Sequence, residues 1–210
     1  MILILKCFLD FALTWYAVGF EKDLPPGNVM SGRVQQQELA IWRTQSGKIR
    51  IFADRCPHRG MRLSHGFVRQ DKLHCIYHGW QYTDDGSCDY IPAHPSLLPP
   101  SSICAKQFDC VEQDGIIWLT FDADRNDLPN FKAFAPVRSI EFEVTDVSIA
   151  SFFGQPGSNI IFAGKDRSYI LLLQPTFKNR CFVHLLTTKN LSHASLWLEE
   201  QRNFIEEKFG

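Results

Sequence analysis

Between Arg55 and Trp80 the chain reads RCPHRGMRLSHGFVRQDKLHCIYHGW, which holds two cysteines and four histidines. Cys56 and His58 form a Cys-x-His pair, Cys75 and His78 form a Cys-x-x-His pair, and sixteen residues separate His58 from Cys75. Thiolates and imidazoles are the donors that transition metals take in preference to hard oxygen ligands. Two short pairs, each with one sulfur and one nitrogen, describe two loops closing on one centre. A structural zinc ion can use such a set, because it takes four Cys or His ligands in a tetrahedron. Zinc sites more often combine a Cys-Cys pair with a His-His pair, so a mixed pair on each loop asks for another reason. Chance placement of four such residues in a β-rich chain is the remaining alternative.

A Rieske [2Fe–2S] cluster supplies that reason, since one of its irons takes two thiolates and the other two imidazoles. Loops clamping it from opposite sides can each give one ligand to each iron. Gly60 and Gly79 stand just past the pairs, where the missing Cβ lets backbone amides approach the cluster's sulfurs. Pro57 stiffens the first loop. Trp80 is expected to pack under its loop and exclude water. Arg59, beside His58, is read three ways: tuning the centre, docking a partner, or simply lying on the surface. His65 and His74 are expected to face solvent, and His94 has no assigned role.

These residues resemble a known family. CPHRGMRLSHG and CIYHGWQYTDDGSC with the following IP are similar to the Rieske domain of the Rieske non-haem iron oxygenases, and TWYAVG and FADRCPHRG extend the likeness over Trp15 to Phe121. The resemblance implies Cys56 and Cys75 on one iron, and His58 and His78 on the other. The respiratory Rieske type carries two further cysteines that bridge its loops. Here Met61 and Tyr77 occupy the neighbouring positions, which implies the lower-potential oxygenase type. The family's catalytic iron is mononuclear and sits on two histidines and a carboxylate. The histidines lie about a turn apart on a helix after the Rieske domain, and a helix-grip sheet follows. In this chain no histidine occurs between Phe121 and Arg180, and His184 and His193 stand nine residues apart. Both are read as structural, so no mononuclear iron is expected in this chain. The residues after Arg125 are expected to be the closing portion of a helix-grip domain, kept as a docking platform.

The elements that must position these ligands read as short strands. WYAVGF, ELAIWRT and KIRIFA are strand patterns, with Gly47 at a hairpin turn between the last two. LHCIYHGWQYT leads through DDGS to CDYIP, and Pro92, Pro95, Pro99 and Pro100 mark an extended loop. AKQFDCVEQDGIIWLTF reads as a hairpin turning at Asp114-Gly115. Beyond a DADRNDLPN linker, IEFEVTDVSIA, NIIFAG, SYILLLQP and NRCFVHLLTT read as strands. LSHASLWLEEQRNFIEEKFG reads as a helix capped by Ser192, with Trp197, Gln201, Phe204, Ile205 and Phe209 covering a sheet. The expected fold is mainly β. A Rieske-type antiparallel domain with its lead-in occupies residues 1–124, and a small α+β helix-grip remnant occupies residues 125–210.

The chain has 210 residues and a formal charge of −1 with its charges mixed, so it presents no basic stripe for nucleic acid. Lys6 and Asp10 interrupt the apolar N-terminus, which is expected to be a buried element and not a membrane span. Seven cysteines, an odd number, point to a reducing, cytoplasmic setting. Cys7, Cys88, Cys104, Cys110 and Cys181 are expected to be buried thiols. The expected function is that of the [2Fe–2S] subunit of a split Rieske oxygenase, an oxidoreductase component without activity of its own. It would relay single electrons from a reductase or ferredoxin to a partner catalytic subunit in a hetero-oligomer. The alternatives are a free-standing ferredoxin-like carrier, a complete oxygenase drawing its iron site from His184 and His193, and a zinc-bound module.

Overall fold

The computed structural model describes residues 15–122 and 127–210. The expected N-terminal element, with Cys7, and residues 123–126 of the linker lie outside the described residues. The described residues form two compact units, neither contiguous in sequence: one of residues 21–33 and 37–111, the other of residues 15–20, 34–36, 112–122 and 127–210.

In the unit of residues 21–33 and 37–111, β2 (Val29–Val34), β3 (Gln37–Arg43) and β4 (Ile49–Ala53) are neighbours in one sheet. β3 and β4 pair from Leu39↔Ala53 to Arg43↔Ile49. Thr44 Oγ1 accepts the Lys48 amide at 2.8 Å and shapes their connection, while Gly47 turns at φ +97°. β4 also pairs with β9 (Gln107–Gln113) at Ile51↔Phe108. A second antiparallel sheet orders β5 (Phe67–Arg69), β6 (Lys72–His74), β7 (Gln81–Tyr82) and β8 (Cys88–Tyr90) in sequence. Trp42, Phe52, Leu63, Leu73 and Tyr82 fill the core of this unit, and Cys56 and Cys75 are part of it. The two ligand loops therefore leave strands that are themselves anchored in the core. One follows β4, and the other bridges β6 and β7.

Gly66 closes the base of the β5–β6 hairpin, where a Cβ would lie 2.1 Å from the His74 carbonyl oxygen. Backbone cannot give way as a flexible side chain can. Gly66→Ala is expected to cost about 2 kcal/mol or more, read as a lower urea midpoint with an unchanged slope. An unaltered midpoint would refute the close approach.

In the other unit, β1 (Trp15–Phe20) pairs antiparallel with β10 (Ile116–Thr120), with a bulge between Ala17 and Gly19. The turn into β10 places Asp114 at φ +57° and Gly115 at φ +75°, the two left-handed residues of a tight hairpin. The Asp114 carboxylate also accepts the Phe131 amide at 2.6 Å. A four-stranded sheet runs in the order β11 (Ala135–Phe142), β14 (Cys181–Thr187), β13 (Tyr169–Pro175), β12 (Ile160–Ala163). At its β12 edge the Gln155 side chain accepts the Phe162 N–H at 3.1 Å and donates to the Phe162 carbonyl at 2.9 Å. It thereby occupies groups that would otherwise invite another strand.

Three readings of this region need correction. The strand expected through IEFEVTDVSIA stops at Phe142, and helix α1 (Asp146–Phe152) follows. Thr145 is its cap, with Oγ1 accepting the Ser148 amide at 3.1 Å, which outweighs the strand preference of the β-branched residues. The long helix α2 (Leu191–Phe209) is capped by Asn190 and not by Ser192; the Asn190 side chain accepts the Ser192 and His193 amides. Its buried face is Ala194, Leu198 and Ile205, with Trp197 stacked on Tyr169 at 4.2 Å. Phe204 and Phe209 are 61% and 40% exposed, so they do not cover the sheet. Among the described residues no helix is long and apolar enough to cross a membrane.

Candidate metal centre

The two ligand loops close in the same way. In the first, the Cys56 amide donates to the Met61 carbonyl at 2.8 Å and the Gly60 amide to the Cys56 carbonyl at 2.9 Å. In the second, the Cys75 amide donates to the Trp80 carbonyl and the Gly79 amide to the Cys75 carbonyl, both at 2.9 Å. Each glycine stands four residues after its cysteine, at φ +73° for Gly60 and +69° for Gly79. That left-handed backbone is what the turn demands of them. Their own amides are committed to the turn carbonyls. At the Cys75 sulfur it is the Tyr77 and His78 amides that reach in. At Gly79 space is short as well, since a Cβ would lie 3.0 Å from Pro92 Cγ.

Asp54, one residue before the first loop, is buried. Its carboxylate accepts the Ser64 amide at 2.7 Å and the Ser64 hydroxyl at 2.6 Å. It holds the far end of the loop to its start. The sequence reading missed this residue, although an acidic side chain between a buried strand and a ligand pair was a signal for it.

The four donors come together by type. The His58 and His78 rings lie 4.8 Å apart, and the Cys75 thiol is within hydrogen-bonding reach of the Cys56 thiol. Both cysteines are 2% exposed, whereas His58 is half-buried and His78 exposed. Burial, first of all, pushes the Cys75 thiol up, and the neighbouring Cys56 adds to it. The Cys75 thiol, held beside another sulfur and away from water, is costly to ionise unless a metal takes up its charge. His58 is held below the usual imidazole value, by desolvation first and then by His78 and Arg59, so its neutral, ligating form is favoured. Among the described residues no three His, Cys, Asp or Glu side chains are grouped to hold a single ion. Two thiols on one side and two imidazoles on the other is the division a Rieske cluster requires, and the donor set fits that group.

The surroundings orient the donors. Trp80 packs against the core cluster that includes Cys56 and Cys75, and stacks on the His58 ring of the other loop at 4.2 Å and 6°, so it also braces an imidazole. Tyr77 lies 3.9 Å from the His78 ring. Tyr82, fully buried, places its hydroxyl 3.0 Å from Cys56 Sγ. Burial first, and then the bonded Cys56, raise its pKa, so it stays a protonated donor. The sequence reading missed Tyr82; an aromatic hydroxyl four residues past His78 was the available signal. With a cluster bound, a hydrogen bond to a ligand sulfur favours the electron-rich state. Tyr82→Phe is therefore expected to lower the reduction potential by about 60 mV, a tenfold change in a one-electron equilibrium. Protein-film voltammetry reads it, and an unchanged or higher potential would count against the bond.

Other expectations divide. His74 is buried, stacked on Phe67 at 4.8 Å, with Nε2 3.3 Å from the Arg69 carbonyl. It does not face solvent, because β6 turns it inward. His65 does face solvent. Cys88 and Cys181 are buried, but Cys104 is exposed and Cys110 half-buried, and all described cysteines are free. Arg59 is exposed. His184 is buried, with Nδ1 2.7 Å from Ser139 Oγ and Nε2 2.8 Å from Gln174 Oε1. With both nitrogens engaged it has none to give a metal. His193 is exposed on the first turn of α2.

Comparison with known proteins agrees with the donor chemistry. Residues 14–111 match the Rieske [2Fe-2S] domain family. The oxidoreductase NdmD of Pseudomonas putida is 39% identical over 107 residues, which are 50% of this chain and 18% of NdmD. The 4beta-methylsterol monooxygenase of Methylococcus capsulatus is 33% identical over 156 residues, 70% of this chain and 41% of that protein. The chain thus spans less than half the length of either relative. The crystal structure of apo dicamba monooxygenase has a TM-score of 0.76 at 17% identity, over 95% of this chain and 87% of that one. Its mainly β fold with antiparallel sheets is shared.

Proposed function

We propose that this chain, which carries a Rieske [2Fe–2S] domain and has Rieske non-haem iron oxygenases among its relatives and structural neighbours, is the electron-relay component of such an oxygenase. Cys56 and Cys75 hold one iron, and His58 and His78 hold the other. The observation that carries this reading is the sorting of donors by type, thiols buried and imidazoles toward the surface. The cluster, when bound, accepts and releases one electron at a time.

The chain's own residues set the conditions for that. The buried thiol side keeps water from the cysteines. Trp80 fixes the plane of His58, Tyr77 lies against His78, and Tyr82 donates to Cys56. The exposed His78 edge is where a redox partner can come within reach. Arg59, Gly60, Gly79 and Trp80 act by shaping the loops around the ligands.

The partner that receives the electron is a catalytic subunit whose mononuclear iron sits on two histidines and a carboxylate. The engagement of His184 by Ser139 and Gln174 supports placing that iron outside residues 1–210. Residues 125–210 serve as a docking platform toward it. The donor is a reductase or ferredoxin.

Metal and acid-labile sulfide are to be counted on protein purified without oxygen, with zinc in the same run. Two irons and two sulfides per chain are expected. Zinc with no sulfide would replace this reading by a structural zinc site, and a third, sulfide-free iron would move the catalytic centre into this chain. Co-purification then separates a relay subunit, which retains a chain with the mononuclear iron, from a free-standing carrier, which retains none.

A further inference from the structure

The two ligand loops turn alike, but their feet differ. The second is the turn of a hairpin, with β6 and β7 paired beneath it at Leu73↔Tyr82 and His74↔Gln81. The first runs from β4 through the 3₁₀ turn Leu63–His65 to β5, and those two strands lie in different sheets. No ladder between β4 and β5 draws its ends together, and side chains take that place. Asp54 at its start accepts the Ser64 amide and hydroxyl.

One residue beyond the last β3–β4 pair, Glu38 stands opposite Asp54, whose amide donates to the Glu38 carbonyl at 3.0 Å. Carboxylates facing each other across neighbouring strands repel, and the Asp54 side chain is only 1% exposed. Arg62, on the returning arm of the loop, stands between them. One guanidinium nitrogen lies 2.5 Å from Glu38 Oε1 and the other 4.0 Å from Asp54 Oδ2. Arg33 on β2 pairs with the same Glu38 oxygen, so the tie reaches from the loop across β3 to β2.

We propose that Arg62 is a positioning residue of the candidate centre, which by spanning Glu38 and Asp54 fixes the return of the first loop and the seat of Cys56 and His58 within it. The proposal rests on the ligand assignment above. An exposed ion pair by itself contributes little, but removal of Arg62 leaves a buried carboxylate facing a second one, which costs more. The planar fork of arginine reaches two acceptors at once, and the point charge of lysine does not. Ligands held in one geometry also suit a centre that exchanges single electrons. The second loop, with no Asp, Glu, Lys or Arg from residue 73 to 83, has no such tie and, on its hairpin, needs none.

Cluster-loaded protein is compared by hydrogen exchange, read by mass spectrometry on peptides covering residues 54–64 and 74–82, and by the paramagnetic resonance of the dithionite-reduced centre. Arg62→Gln and Arg62→Lys should both exchange about tenfold faster over residues 54–64 and leave 74–82 unchanged. Both should broaden the resonance lines, a signature that a general loss of stability does not produce in the folded, loaded fraction. Glu38→Gln, which leaves Arg62 with Asp54 as its only charged partner, should move both readouts part of the way, and it keeps the test open if Arg62→Gln fails to fold. Arg69→Gln removes the same charge from the far end of the β5–β6 hairpin and should change neither. An Arg62→Lys chain identical to the unaltered one would overturn the tie, because charge without the fork would then suffice. Equal acceleration over both segments would overturn it as well, by showing a general loosening. An unaltered chain without cluster absorbance would overturn the ligand assignment instead, and exchange over residues 54–64 would still judge the tie.

Discussion

Cys75→Ser protein is expected to purify with neither the two irons nor the labile sulfides of the unaltered chain. Cys75 is 2% exposed and its thiol lies beside Cys56, with the Tyr77 and His78 amides aimed at it. A serine hydroxyl there is a harder and poorer donor for iron, and the partner thiol cannot hold the metal alone. Cys88→Ser supplies the control. That thiol lies in the same buried cluster, yet the reading gives it no iron, so the metal content should be unchanged. His78→Cys should behave differently again, keeping its iron with a potential displaced toward the plant-type value of about −400 mV. A third thiolate adds negative charge where a neutral imidazole stood. Metal analysis and voltammetry on the three variants check the assignment. A Cys75→Ser chain that keeps two irons, or a His78→Cys chain whose potential rises, would sink it.

Acidification is expected to weaken the unit that contains His184 well before its carboxylates titrate. His184 is fully buried, and burial brings its pKa from 6.5 down to about 4. The unfolded chain therefore binds a proton that the folded chain refuses. Stability is complete above pH 6.5, falls as pH drops through that value, and stops falling below about 4. The whole displacement corresponds to about 3 kcal/mol, of which about 2 kcal/mol is lost between pH 7 and 5. Buried His74 is displaced in the same direction, again by desolvation first, so the total slope belongs to more than one residue. His184→Gln isolates the His184 share. It gives up one or both of the bonds to Ser139 and Gln174 and lowers stability at every pH, but its stability should depend less on pH in this window. Urea titrations at half-unit pH steps read both curves. Parallel curves would show that His184 is charged in the folded state, or that its surroundings accept the charge.

The local parts of this protein are written in short stretches of its sequence. The two mixed Cys and His pairs stand out by type and spacing, because ligand loops must supply their donors within a few residues of one another. The Asp114-Gly115 turn and the β13–β14 hairpin are equally legible, since turn geometry depends on only two to four adjacent residues. The Thr145 cap was also within reach of local reading, but a run of β-branched residues outweighed it.

Other features needed the folded chain. Nothing next to His74 in sequence says that it stacks on Phe67 while His65 faces water; that follows from which side of β6 meets the core. The Tyr82 hydroxyl finds Cys56 only because β7 returns beside the first loop, and Asp54 reaches Ser64 only when that loop closes. The sorting of thiols inward and imidazoles outward is of the same kind. A sequence names four donors, but burial is a property of everything packed around them. The compact units, in which Trp15–Phe20 and the residues from Glu112 onward gather with the C-terminal sheet, are likewise decided by pairings between residues far apart in the chain. Spacing along a sequence carries local geometry, and only packing decides which distant segments share a core.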